Sequence, residues 1–98
     1  MSSVQGERTR RLHLIIKGRV QGVNFRYRAR QRARELGVSG WIRNTPEGSV
    51  EAIVEGDHAQ VERFVQWAHR GPPSASVDEV VVDEQPPERH ESGFHIVA

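Results

Sequence analysis

Gly18, Gly22 and Arg26, spaced four apart within "GRVQGVNFR", are the first residues of this chain that point to chemistry. A glycine-bearing turn that leaves a strand and enters a helix exposes successive backbone N–H groups. These share their space with the unpaired N–H groups of the first helical turn, where the helix dipole adds partial positive charge. Such a place binds phosphate. Glycine lets the backbone approach the anion with no Cβ in the way. Arg26 follows in the first helical turn, so its guanidinium can fold back and hold two phosphoryl oxygens at once. RNA and a small phosphate ester are the two anions to choose between. The bland alternative is a simple turn with a solvated arginine, since short glycine motifs often match by chance.

Other chemistry-bearing residues are less organised. Asn44 precedes the turn "TPEGS" (45–49), and Asn there can simply cap a hairpin. His13, His58, His69, His90 and His95 are scattered without metal-ligand spacing, so no metal is expected. Arg28, Arg30, Arg32 and Arg34 read as a solvated helix surface with Glu35 among them. Trp41 and Trp67 read as core or partial core. Asp78, Glu79, Asp83 and Glu84 flank a valine run and read as strand surface or edge protection.

The elements that must position these residues follow from periodicity. Leu12, Leu14 and Ile16 alternate with Arg11, His13 and Ile15, giving a strand over 11–17 with one well-buried face. From Asn24 or Phe25 the period becomes helical, with Phe25, Ala29, Ala33 and Leu36 on one face and Gly37 as the stop. "VSGWIRN" (38–44) and "VEAIVEG" (50–56) are strands joined by the 45–49 turn. Asp57 caps a second helix whose core stripe is Val61, Phe64, Val65 and Ala68. "GPPSAS" (71–76) is a loop, and 77–85 and 93–98 are closing strands around a polar 86–92. The order is β-α-β-β-α-β plus one strand. It predicts an α+β, ferredoxin-like sandwich with two helices on one face of a mostly antiparallel sheet and an additional C-terminal strand.

Composition sets bounds. The chain has 98 residues, which suits one domain, expected over 10–98 behind a loose polar tail over 1–9. Lys plus Arg number 14 against 13 Asp plus Glu, a net charge of +1, which argues against a protein made mainly to coat nucleic acid. There is no cysteine, so disulfide and thiolate chemistry are excluded. No apolar run approaches a membrane span and "MSSVQGERTRR" has no signal-peptide core, so a cytoplasmic location without membrane partners is expected.

"GRVQGVNFR" (18–26) resembles the acylphosphatase signature G-x-V-Q-G-V-x-F-R at every fixed position. "GWIRNTPEGSVE" (40–51) is similar to the family's second signature, G-x-V-x-N-x-x-D-G-x-V, with Ile42 in place of Val and Glu47 in place of Asp. Gly71-Pro72, Ala75, Val77 and the terminal "FHIV" are also similar to the family, so the resemblance covers nearly all of 11–98. It implies a ferredoxin-like monomer that hydrolyses acyl phosphates to carboxylate and inorganic phosphate. It also implies that Arg26 binds the phosphoryl group, that Asn44 positions the attacking water, and that the backbone N–H groups of Gln21, Gly22, Val23, Asn24 and Phe25 complete the cradle.

That chemistry needs no cofactor. The leaving carboxylate has a conjugate acid of pKa roughly 4, so it departs without a general acid. Phosphoryl transfer then rests on positioning and charge stabilisation. Two rivals stand beside it. A regulatory module could keep the anion cradle without turnover. An RNA-binding sheet would need aromatic residues on its open face. The chain has only two Trp, one Tyr and three Phe, and "LHLIIK" and "VEAIVE" carry none.

Overall fold

A computed structural model describes residues 8–89 and 92–98. In chain order the elements are β1 (Thr9–Arg19), α1 (Phe25–Leu36), β2 (Ser39–Asn44), β3 (Val50–Asp57), α2 (His58–Arg70), β4 (Ser76–Gln85) and β5 (Phe94–Ile96). They form one five-stranded sheet of order β4-β1-β3-β2-β5. All neighbours are antiparallel except β2 and β5, which run parallel. This is the expected ferredoxin-like arrangement with the extra strand at the edge. Among the described residues no helix is long and apolar enough to cross a membrane.

The periodicity predicted which side of β1 and of β3 carries the main core. Leu12, Leu14 and Ile16 of β1 and Val50, Ala52 and Val54 of β3 lie under the helices with Phe25, Ala29, Ala33, Val61, Phe64 and Ala68. The rings of Phe64 and Phe94 are 5.6 Å apart, so the short β5 is held by its buried aromatic. Each such ring contributes about 1.5–3 kcal/mol by leaving water. The expected helix stop at Gly37 is a left-handed cap, φ 71°, that donates back to α1. Asp57 caps α2 through a bond from the Ala59 N–H.

Several boundaries differ from the sequence reading. Of the expected loose segment 1–9, Thr9 already pairs with Asp57, and 1–7 lie outside the described residues, as does His90. The closing strand is three residues long rather than six. Gly18 belongs to β1 rather than to the anion turn. A Cβ there would lie 2.2 Å from the Ser76 carbonyl oxygen, at a bulge where the register with β4 shifts. Its lack of a side chain serves the approach of β4, not of an anion. Arg11 is buried with Glu55 at 2.9 Å, because the 88–89 segment crosses that end of the sheet and donates its N–H groups to Glu55. Alternation alone could not reveal a strap from so far along the chain.

Candidate active site

β1 and β2 both border β3 and both run antiparallel to it, so their C-terminal ends emerge at the same end of the sheet. α1 leaves that end and runs back over β2 and β5. Its N-terminus therefore lies at the end where β2 finishes on Asn44. The topology alone brings together the 20–25 loop, Arg26 and Asn44.

The loop is shaped by two left-handed residues. Gly22 has φ 75° and Asn24 has φ 69°, with Val23 between them at negative φ. Such alternation turns successive N–H groups toward one side. The N–H groups of Gln21, Gly22, Val23, Asn24 and Phe25 find no protein acceptor among the described residues. A Cβ on Gly22 would meet nothing within 4 Å, so the space beside it is open. Asn24 is the residue before the helix, and its side chain makes no capping bond. Its left-handed backbone was not apparent in the sequence, although Asn tolerates that region better than most residues.

Two contacts anchor this loop from below. The Phe25 ring is buried against Trp67, 5.2 Å between centroids, and leaves no room for a side chain on Gly71. Ser74 Oγ donates to the Val23 carbonyl oxygen at 3.0 Å. The 71–75 loop thus supports the first turn of α1. Arg26 is half-buried one residue beyond Phe25, and among the described residues its guanidinium has no hydrogen bond or ion pair. A partly buried cation unpaired among the described residues, on the residue that follows open N–H groups, is an arrangement that draws a dianion.

Asn44 ends β2 opposite Val50. The hairpin turn is closed without its side chain: the Thr45 N–H donates to the Ser49 carbonyl oxygen at 2.9 Å, and the Ser49 N–H donates to Thr45 Oγ1 at 3.1 Å. The hairpin-cap reading of Asn44 therefore has no bond to rest on. Its Oδ1 is buried and unpartnered among the described residues. A buried amide oxygen left without a donor is costly, on the order of 1–3 kcal/mol, unless something supplies one. The atom is closed to solvent as it stands, so a small turn of the side chain is needed for a water to supply one.

The sequence placed Gln21 here for its backbone and missed its side chain. Gln21 Nε2 donates to the carbonyl oxygens of both Thr45 and Ser49, each at 2.8 Å. No spacing rule could have revealed it, because the partners lie in the turn between β2 and β3, far along the chain.

On the opposite face of the sheet Glu51 accepts from Arg43 Nε at 2.6 Å and lies 2.7 Å from His13 Nε2. His13, then Arg43, hold its carboxyl below the usual carboxylate range. A depressed carboxyl stabilises the fold above its unfolded value of 4.5, and that stability is lost as the pH falls through the folded value. Glu51→Gln should therefore cost about 1 kcal/mol at pH 7 and less at pH 3, which lies below the unfolded value. Urea melts at the two pH values check this. An equal cost at both would show that the pairing is not the source.

The remaining arginines of α1 lie outside this arrangement. Arg32 is 3.3 Å from Glu35, Arg30 stacks over Tyr27 at 5.4 Å, and Arg34 donates to the Phe94 carbonyl oxygen at 3.2 Å. A cavity of about 580 Å³ between α1 and α2 is bordered by Arg28, Arg32, Trp67 and Arg70, but no residue of 18–26 or 44–49 lines it. On the open sheet face the described aromatic is Trp41, half-buried beside Ile53 of β3. That is a poor platform for stacking bases.

Residues 12–96 match the sequence model of the acylphosphatase family. The acylphosphatase of Thermococcus kodakarensis is 54% identical over 87 residues, covering 89% of this chain and 94% of its own. The crystal structure of acylphosphatase from Bacillus subtilis superposes with a TM-score of 0.87 at 32% identity, covering 91% of this chain and 99% of that one. An acylphosphatase structure from Coxiella burnetii gives 0.88 at 32% identity over 95% and 97%.

Proposed function

The chain belongs to the acylphosphatase family, a hydrolase of acid anhydrides, and from that premise we propose how its residues cleave the carboxyl–phosphate bond. The phosphoryl oxygens lie on the N–H groups of Gln21, Gly22, Val23, Asn24 and Phe25, and Arg26 holds two of them through its guanidinium fork. Asn44 Oδ1 accepts a hydrogen from a water and aims its oxygen at phosphorus. The water oxygen forms the new P–O bond as the P–O bond to the acyl group breaks. The carboxylate leaves with the electron pair and needs no proton. The water's proton passes to a phosphate oxygen, because a neutral amide cannot accept it. No covalent intermediate forms, and the reaction asks for neither metal nor cofactor.

The observation that carries this reading is the buried Asn44 Oδ1 that takes no hydrogen bond from the described residues, at the same end of the sheet as N–H groups that find no acceptor among them. The chain acts on this reading as a cytoplasmic monomer on small acyl phosphates, with inorganic phosphate as product and inhibitor and with no nucleic-acid or membrane partner. Purified protein should release phosphate from benzoyl phosphate, at an unchanged rate in excess EDTA. Activity that vanishes with EDTA and returns with Mg²⁺ would sink the mechanism.

A further inference from the structure

We propose that the Gln21 side chain is a positioning residue that sets the distance between the phosphoryl cradle and Asn44; this rests on the reaction proposed above. The two halves of the site come from different units of the fold. The cradle follows β1, while Asn44 ends β2, and β3 separates these strands in the sheet. Two strand spacings, roughly 9–10 Å, must be crossed. No backbone hydrogen bond of the described residues joins the 20–25 loop to the 45–49 turn.

Gln21 crosses that gap. Its amide nitrogen carries two N–H groups, and they serve two carbonyls, Thr45 and Ser49, each at 2.8 Å. Those carbonyls flank the Asn44–Val50 pair, since Thr45 follows Asn44 and Ser49 precedes Val50. The clamp therefore grips the hairpin at the residue proposed to hold the water. Its own backbone is the first member of the cradle. Loosening it leaves Arg26 and the N–H groups in place but frees the water to drift relative to phosphorus. A displacement of about 1 Å costs on the order of 10²-fold in rate.

Gln21→Met keeps length and volume and removes both donors. It should lower kcat for benzoyl phosphate by about 10²-fold, while the inhibition constant of inorganic phosphate changes by less than about threefold. Amide exchange at Thr45 and Gly48 should quicken, since their turn loses its outside support. Gln21→Glu supplies the distinguishing readout. Its ionised carboxylate faces two carbonyl oxygens, whereas the protonated acid restores one donor. Its kcat should recover as the pH falls, along a limb that the unaltered protein lacks. Three results would overturn the proposal: unchanged kcat in Gln21→Met, a phosphate constant that weakens in step with kcat, or a Glu variant that follows the unaltered pH profile. Circular dichroism at the assay temperature shows whether the Met variant is folded, and if it is not, the pH series of the Glu variant decides. An unaltered protein that fails to hydrolyse benzoyl phosphate would refute the catalytic reading itself, a separate outcome.

Discussion

Asn44→Ala is expected to lower kcat for benzoyl phosphate by about 10³-fold, while inorganic phosphate binds within about threefold of its normal affinity. A thousandfold corresponds to about 4 kcal/mol of lost transition-state stabilisation. The split follows from position. Asn44 ends β2 outside the cradle loop, and its Oδ1 takes no bond from the described residues. Removing it leaves the open N–H groups and Arg26 untouched. The water, in contrast, loses its only proposed protein acceptor and must find phosphorus unaided. Asn44→Asp should be no better, because a carboxylate beside the phosphoryl dianion adds repulsion that weakens phosphate binding as well. Competitive inhibition by phosphate, measured alongside initial rates, separates these effects. A kcat within tenfold of normal in Asn44→Ala would remove this residue from the reaction.

The faces of β1 and of the two helices were legible because each buries one stripe, and the periods 2 and 3.6 reveal which; β4, with no buried residue, gave no such stripe. The candidate site was legible only in part: spacing alone fitted a bare turn equally well, and the roles proposed for Arg26 and Asn44 came from the resemblance to the family signatures. Backbone cradles need glycine at positive φ, and Gly22 carries that mark in the sequence. Gly18 shows the limit of that inference. It too has positive φ, yet the cause is the backbone of β4, some sixty residues away in the chain and 2.2 Å from its missing Cβ. Nothing local distinguishes a glycine needed by a ligand from one needed by a neighbouring strand. The same limit hid the Gln21 clamp and the Arg11–Glu55 pair. Both are polar contacts between elements far apart in sequence, and alternation carries no information about which polar side chain will be covered. For Asn44 the hairpin-cap reading lost its support once the turn's own bonds were seen to come from Thr45 and Ser49.

Arg26→Ala is expected to damage binding and turnover together, because the guanidinium meets phosphoryl charge in the ground state and in the transition state alike. Fold stability reads this without any turnover. At phosphate ten times its dissociation constant, linkage adds about 1.4 kcal/mol to the stability of the unaltered protein. For a domain this small the melting temperature should rise by roughly 5–10 °C. Matched chloride controls remove the general screening effect. Asn44→Ala should keep the shift, since it leaves the cradle intact. Arg26→Ala should lose most of it, and Arg26→Lys should restore only part, because an ammonium cannot reproduce a two-pronged contact. Gly22→Val should lose it by another route. Its backbone at φ 75° disfavours a β-branched residue, and the new side chain would enter space that is open beside the N–H groups. An equal phosphate shift in all five proteins would place the anion elsewhere, with the α1–α2 cavity bordered by Arg28, Arg32 and Arg70 as the first alternative to test.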